Sequence, residues 1–187
     1  YDKVPSNAML KYRKLFGIKD ADRFTKYIED VTSGKVEIKA NTLYPYDIVQ
    51  KIFHGDGSPV LDAQWNALPN YASEDTNILV MADTSGSMSC CQYLPMASAV
   101  GLAVYFAERN KGTFAGYYMT FSSRPRLKKL NGKTIFEKVR VPSIVENTNL
   151  EAAFDLILKT AIEKKTPAEQ LPTAIVVISD MQIDSYQ

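Results

Sequence analysis

The chain of 187 residues is 45% hydrophobic and 23% charged, a composition ordinary for a folded globular protein that excludes disordered and collagen-like chains. Its 22 Lys and Arg residues oppose 21 Asp and Glu residues, which gives a formal net charge of +1 at pH 7. This balance favours neither a nucleic-acid polyelectrolyte binder nor an acidic tail, although charge can still be concentrated locally.

The sequence shows no membrane or export signal. No apolar run approaches the roughly 18 residues needed to span a bilayer, and the N-terminus lacks the apolar core of a signal peptide. We therefore expect a cytoplasmic, intracellular protein without a membrane partner. Cys90 and Cys91 are adjacent in the sequence, and because a disulfide between neighbours is strained, we expect two reduced thiols.

The first part of the chain, residues 1–72, predicts helices joined by polar connections. Apolar residues recur at helical spacing behind Ser6 and behind Asp20, which are candidate N-caps for the first two helices. A third helix is expected to begin near Pro45, and a short fourth helix surrounds Trp65. We interpret this segment as the end of a larger helical domain.

From residue 73 onward, strands and helices alternate. The longest helix signals are 94–109 and the stretch from Leu150 to Ile162, where apolar residues follow the i, i+3, i+4, i+7 rule. Thr134 and Glu137 have the spacing of a capping box. Four apolar or aromatic stretches predict strands, the third of them at an edge: 77–82, 114–122, 125–130 and 173–180.

This alternation predicts an α/β domain over residues 73–187. We expect a doubly wound, mostly parallel, Rossmann-like sheet with helices on both faces, preceded by the small helical segment. The chain stops shortly after its last predicted strand, so the domain is expected to be truncated at its C-terminus.

Oxygen-bearing side chains gather where the predicted strands end. Two buried strands end in Asp83 and Asp180, and the carboxyl ends of parallel strands share one edge of a sheet. Ser85 and Ser87 follow the first strand, and Thr148 lies at the start of the best predicted helix. Hydroxyl and carboxylate oxygens are the ligands that Mg²⁺ prefers, so these five residues are candidate metal ligands.

The sequence Asp83-Thr84-Ser85-Gly86-Ser87 resembles the D-x-S-x-S signature of the von Willebrand factor A (vWA) domain. The metal-ion-dependent adhesion site (MIDAS) of that family also uses a downstream threonine and a later aspartate, and Thr148 and Asp180 match them in order and spacing. The resemblance, which covers 77–184, implies a vWA fold and a Mg²⁺ or Mn²⁺ ion that engages an acidic group of a protein partner.

The preceding helical segment is similar to one found before such a domain in an uncharacterised family. That architecture is distantly similar to the Ro autoantigen (TROVE) proteins, in which a helical-repeat ring carries a vWA domain. The resemblance implies that RNA is an alternative ligand.

A local excess of positive charge also points toward RNA. Nine Lys and Arg residues between 109 and 140 are opposed only by Glu137. The competing interpretation is a solvated edge strand whose lysines discourage aggregation, and Tyr117 and Tyr118 are expected to pack in the sheet because they alternate along a strand. The candidate phosphate or RNA contacts are Arg124, Arg126, Lys128, Lys129 and Lys133.

Catalysis is not indicated by any motif. His54 is the only histidine, in a Gly-rich turn, and neither Ser85 nor Ser87 lies in G-x-S-x-G, so a serine hydrolase is not expected. A metal-assisted phosphohydrolase remains an alternative. The leading prediction is a Mg²⁺-dependent module that binds an exposed Asp or Glu of a protein partner, and the second is a Ro-like RNA-binding protein that uses residues 109–140 and the helical part.

Overall fold

A computed structural model describes residues 1–72, 77–121, 124–140 and 149–180. Within these ranges the chain forms a mixed α/β fold, in which an open sheet is preceded by four helices.

The four N-terminal helices are confirmed. Proline is the first residue of the third and fourth helices. An N–H at this position makes no hydrogen bond within a helix, so its absence from proline costs nothing. Ser6 does not cap the first helix: Pro5 is the N-cap, and the Ser6 hydroxyl donates a hydrogen bond to Asn41 Oδ1. The helices are α1 (Ser6–Lys19), α2 (Ala21–Thr32), α3 (Pro45–Phe53) and α4 (Pro59–Asn66).

The sheet has four strands in the order β3-β2-β1-β4 within the described residues. The central strand β1 pairs in parallel with both of its neighbours, and β3 pairs antiparallel with β2 at the edge. The predicted mostly parallel sheet and its edge strand are thus confirmed. The strands are β1 (Ile78–Asp83), β2 (Tyr117–Phe121), β3 (Arg126–Lys129) and β4 (Ala174–Ile178).

One face of the sheet is covered by two layers of helix. Val80 and Ala82 of β1 share a buried cluster with α5 (Cys90–Arg109), and α3 and α4 pack on the outer side of α5. A Cβ atom added at Gly101 would lie 3.2 Å from the backbone carbonyl carbon of Pro45, so α5 and α3 approach closely there. The short helix α6 (Ile135–Lys138) joins the same cluster through Ile135.

Helix α5 is long and apolar enough to cross a membrane by length and composition, and half of that stretch is buried inside the fold. Its first turn is irregular, because Cys91, Gln92 and Tyr93 have φ values of 51°, 58° and 61°. A left-handed conformation costs about 1–2 kcal/mol for each residue that bears a Cβ. The regular helix therefore starts only after this strained turn.

The opposite face carries α7 (Leu150–Glu163). Ala153, Ile157 and Ala161 share a buried cluster with Leu79 and Met81 of β1 and Met119 of β2. The helix is confirmed, but Phe154, Leu158 and Ile162 on its apolar face are 48%, 59% and 76% exposed.

Candidate functional site

Strands β2, β1 and β4 run in the same direction, so their carboxyl ends form one rim of the sheet. Asp83 is the last residue of β1. The register pairs Ala82 of β1 with Ile178 of β4. The next residues along the two strands, Asp83 and Ser179, therefore lie side by side at the rim, with Asp180 immediately beyond.

The Asp83 carboxylate is almost completely buried, with 2% of the residue exposed. Its Oδ1 accepts a hydrogen bond from the Ser85 backbone N–H at 2.9 Å, and its Oδ2 accepts one from the Ser179 hydroxyl at 2.6 Å. A buried carboxylate is tolerated only when such partners replace water. These two hydrogen bonds fix the orientation of Asp83 between β1 and β4.

Ser85 and Ser87 bring two hydroxyl groups beside Asp83. Both residues are half-buried, and their Oγ atoms lie 3.0 Å apart. The chain holds them together because Ser85 is the N-cap of a single turn of 3₁₀ helix, Gly86–Ser89, that contains Ser87. Three of the five candidate metal ligands are therefore next to one another.

Asp180 is exposed and follows Ser179 at the same rim. A hydrogen bond with Cys91, together with the nearby negative charges of Cys91 and Asp180, raises the pKa of the Cys90 thiol. The Asp180 carboxylate therefore lies within electrostatic range of the turn that follows Ser87. Cys90 and Cys91 are exposed and not bridged. The remaining candidate, Thr148, lies outside the described residues.

The gathered side chains form a set of hard oxygen donors. Among the described ranges, no three His, Cys, Asp or Glu side chains come together as a metal site. A cation at this rim would consequently depend on serine hydroxyls and at most two carboxylates, which suits Mg²⁺ with several retained waters.

Ser179 is a site residue that the sequence did not reveal. It contacts Asp83 because of the register between β1 and β4, and register depends on side-chain packing across the sheet rather than on a local motif. His54 is also nearer to this region than its distance in sequence suggests, since its ring packs edge-on to Tyr93 with centroids 5.8 Å apart.

Two of the candidate RNA contacts, Lys128 and Lys129, are neighbours on the edge strand β3. Lys128 lies opposite Tyr118 and Lys129 opposite Tyr117, so the two lysines project to different faces of β3. Arg124, Arg126 and Lys133 are exposed.

Part of the positive charge is neutralised by Glu108, which lies one residue before the counted stretch. Its carboxylate accepts from Lys138 Nζ at 2.7 Å and lies 3.5 Å from Arg109 Nη1. The Arg109 guanidinium also stacks over the Tyr105 ring, 3.8 Å from the centroid. Arg109 and Lys138 therefore contact groups of the protein itself, Glu108 and, for Arg109, also Tyr105.

Residues 77–187 match the family described as a domain of unknown function, DUF7788. The chain belongs to the DUF7788 family. Residues 1–81 match a second domain of unknown function, DUF2828. The DUF7788 match begins one residue before β1 and includes Asp83, Ser85, Ser87, Ser179 and Asp180.

A viral relative shares both regions. The uncharacterised protein L728 of Acanthamoeba polyphaga mimivirus is 28% identical over 204 aligned positions, which cover 98% of this chain and 35% of the viral protein. The chain thus spans about a third of the length of this relative. No solved structure matches the chain.

Proposed function

We propose that the DUF7788 region is a divalent-metal-dependent ligand-binding module of the vWA type. In this proposal Asp83, Ser85 and Ser87 hold Mg²⁺ or Mn²⁺ together with Thr148 and Asp180, directly or through water, and the metal engages an acidic group of a protein partner. The observation that carries the proposal is the pair of serine hydroxyls 3.0 Å apart beside a buried aspartate at the strand rim.

The separation of the two hydroxyls suits a shared Mg²⁺ ion. Octahedral ligands at about 2.0–2.1 Å from the metal are separated by about 2.8–3.0 Å along each edge. Ser85 and Ser87 have this spacing already, because a hydrogen bond joins them. Little rearrangement would then be needed to replace that hydrogen bond by a common ion.

The same donor set accounts for ligand binding. The carboxylates of Asp83 and Asp180 together balance the charge of a divalent cation. The serine and threonine hydroxyls are neutral and add no further negative charge. Mg²⁺ held in this way keeps exchangeable water positions, so an incoming carboxylate can take one of them. The hydrogen bond from Ser179 holds the Asp83 carboxylate in place. The ligands from this chain therefore stay fixed while water and the partner's carboxylate exchange on the metal.

The sheet supports the finer fold proposal. Its order β3-β2-β1-β4 is the beginning of the common doubly wound order 3-2-1-4-5-6, and ligands of such sheets bind beyond the carboxyl ends of the strands. Helices α5 and α7 lie on opposite faces, as a Rossmann-like vWA arrangement requires.

Metal binding is tested by titrating the chain with Mg²⁺ and Mn²⁺ in a calorimeter. We expect Asp83→Asn to weaken binding at least tenfold, because the ion loses an anionic ligand. Ser87→Ala is expected to weaken it several-fold with the fold preserved, since Ser87 is only half-buried. Ser89→Ala is the matched control, because Ser89 lies in the same 3₁₀ turn, is exposed and is not a candidate ligand.

Absence of Mg²⁺ and Mn²⁺ binding, or equal losses in Ser87→Ala and Ser89→Ala, would contradict the metal proposal. Ligand binding is then tested with a glutamate-containing peptide in Mg²⁺ and in EDTA, where only the Mg²⁺ sample should bind. Turnover of a simple phosphoester with Mn²⁺ would instead favour the phosphohydrolase alternative.

RNA binding is a second candidate, favoured by the surroundings of Tyr117. Lys164 Nζ lies 4.3 Å and Lys129 Nζ 6.0 Å from the centroid of its half-buried ring. A base can stack on this ring when the lysine that lies over it moves aside to contact a phosphate. Binding to single-stranded RNA should weaken steeply with salt and should weaken further in Lys164→Glu; salt-independent binding would remove this candidate.

A further inference from the structure

A cleft lined mostly by polar and charged residues lies between helices α1 and α3, on the side of the helical segment that faces the start of α5. It is open to solvent, and its volume of about 850 Å³ is within the range of about 300–1,000 Å³ found for small-molecule sites. Neutral hydrogen-bonding groups line it from three elements: Asn7 of α1, Gln50 of α3 and Gln92 of α5. The cleft is distinct from the strand rim.

Positive charge predominates in this cleft. Four cations line it, Lys11, Arg13, Lys14 and Lys51, against the two carboxylates Asp47 and Asp56. The chain as a whole carries a formal net charge of only +1, so a surplus of two positive charges in one cleft is a concentrated feature.

The two carboxylates already have partners inside the protein. Asp56 binds Arg13 and Lys14, and its Oδ1 accepts from the Ser58 backbone N–H at 3.0 Å. Burial acts to raise the pKa of Asp56, but these hydrogen bonds and the charge of Arg13 outweigh it and lower the pKa, so Asp56 remains ionised. Asp47 accepts from the Tyr44 N–H at 2.8 Å at the start of α3.

Lys11 and Lys51 have no carboxylate of their own among the residues that the structure describes. Lys51 is half-buried in the last turn of α3, and Lys11 is exposed on α1 with its ammonium 5.2 Å from the centroid of the Tyr12 ring. Both line the cleft. Their charges are therefore available to a ligand.

Arg13 adds an unsatisfied donor. Its side chain is 4% exposed and contributes to the wall of the cleft, and its buried Nε has no hydrogen-bond acceptor in the described part of the chain. Such buried donors are rare in native proteins, and the positive charge of this guanidinium contributes to the wall of the cleft.

We propose that the α1–α3 cleft, with Lys11, Lys51 and Arg13 on its walls, binds a phosphate-bearing small ligand. A phosphate monoester carries about −1.5 to −2 charges at neutral pH, which balances the surplus of two positive charges. The amide nitrogens of Asn7 and Gln50 each donate one hydrogen inside the protein, to Thr42 and to the Gln92 carbonyl, and each keeps a second hydrogen for a phosphate oxygen. A carboxylate ligand would balance only half of the surplus.

The cleft adjoins the strained turn that follows the strand rim. Gln50 Nε2 donates to the Gln92 carbonyl at 2.9 Å, and His54 packs on Tyr93. The inference does not depend on the metal proposal. EDTA is present in every sample, so that ligand binding in the cleft is measured while no divalent metal is bound at the rim.

The experiment is calorimetric titration of the chain with inorganic phosphate, pyrophosphate and acetate in EDTA at low salt. We expect saturable binding of pyrophosphate, weaker binding of phosphate, and none of acetate. Lys51→Ala and Lys11→Ala should each weaken pyrophosphate binding about five- to tenfold. Lys26→Ala is the matched control, because Lys26 is an exposed lysine on α2 outside the cleft, and should bind like the unchanged chain.

Circular dichroism confirms that each variant is folded before titration. The proposal is overturned if pyrophosphate does not bind, if acetate binds equally well, or if Lys26→Ala loses as much affinity as Lys51→Ala. It is also overturned if single-stranded RNA binds while pyrophosphate neither binds nor competes, since the cations would then serve a polyanion rather than a small ligand.

Discussion

The two faces of the sheet are covered to different depths. Val80 and Ala82 point from β1 toward α5, and α3 and α4 cover α5 in turn. Leu79 and Met81 point to the opposite face, where α7 has no described helix outside it. On the first face, the residues of α5 that meet the sheet and α3 are buried almost completely. On the second, an apolar stripe along α7 remains 48–76% exposed.

This difference shows that apolar periodicity identifies a helix but does not determine how much of it is covered. Burial on the α5 face depends on a second layer of helix contributed by residues 1–72. The candidate metal site lies at the end of β1, between the two faces, and the 3₁₀ turn that carries Ser87 runs into α5. The doubly covered face is therefore expected to dominate both stability and the support of the site.

The largest effect is expected for Trp65→Ala, in the outer layer of the covered face. Trp65 is 1% exposed, and its indole N–H donates to Glu108 Oε2 at 2.9 Å. Removing the ring leaves a cavity and takes one hydrogen bond from Glu108, so the free energy of unfolding should fall by about 3–5 kcal/mol. Urea denaturation of the folded chain measures this loss.

Trp65→Phe is the control for the hydrogen bond, since it keeps most of the ring volume. It should lose clearly less than Trp65→Ala. A loss below about 1 kcal/mol in Trp65→Ala would show that the helical layer contributes little to the stability of the sheet, and the comparison of the two faces would fail.

A smaller loss is expected for Gly101→Ala, where α5 meets α3. The added Cβ would lie 3.2–3.3 Å from backbone and side-chain atoms of Pro45 and from the Tyr46 nitrogen. Overpacking costs about 1–3 kcal/mol and the gain in helix propensity from glycine to alanine offsets about 1 kcal/mol of it, so a net loss of up to about 2 kcal/mol is expected. Gly57→Ala is the matched control because a Cβ there meets nothing within 4 Å; equal thermal unfolding midpoints for the two variants would refute the tight α5–α3 contact.

Much of the fold was predictable because its signals are local. The strand signals, the α7 periodicity and the capping interaction of Glu137 with the Thr134 N–H each involve residues close in sequence. The shared rim of Asp83 and Asp180 also followed, since parallel strands end on one edge.

The remaining features depend on contacts between distant segments. Ser179 reaches Asp83 through strand register, and Glu108 neutralises Lys138 across 30 positions. The left-handed turn from Cys91 to Tyr93 has no local signal, because glycine is the usual residue for such a conformation and none occurs there. Binding of metal, acidic partner or RNA, the division into two domains and the cytoplasmic location stay predictions.

The smallest effect is expected for Ile162→Ala on the open face. Ile162 is 76% exposed, whereas Ile157, on the same helix, is 6% exposed and packs toward β1. Alanine has the higher helix propensity, so Ile162→Ala should change the free energy of unfolding by no more than about 0.5 kcal/mol. Ile157→Ala makes the same chemical change at a buried position and should lose about 2–4 kcal/mol. Urea denaturation of both variants separates the effect of burial from the effect of the side-chain type. Equal losses of unfolding free energy would mean that the apolar stripe of α7 is covered in solution.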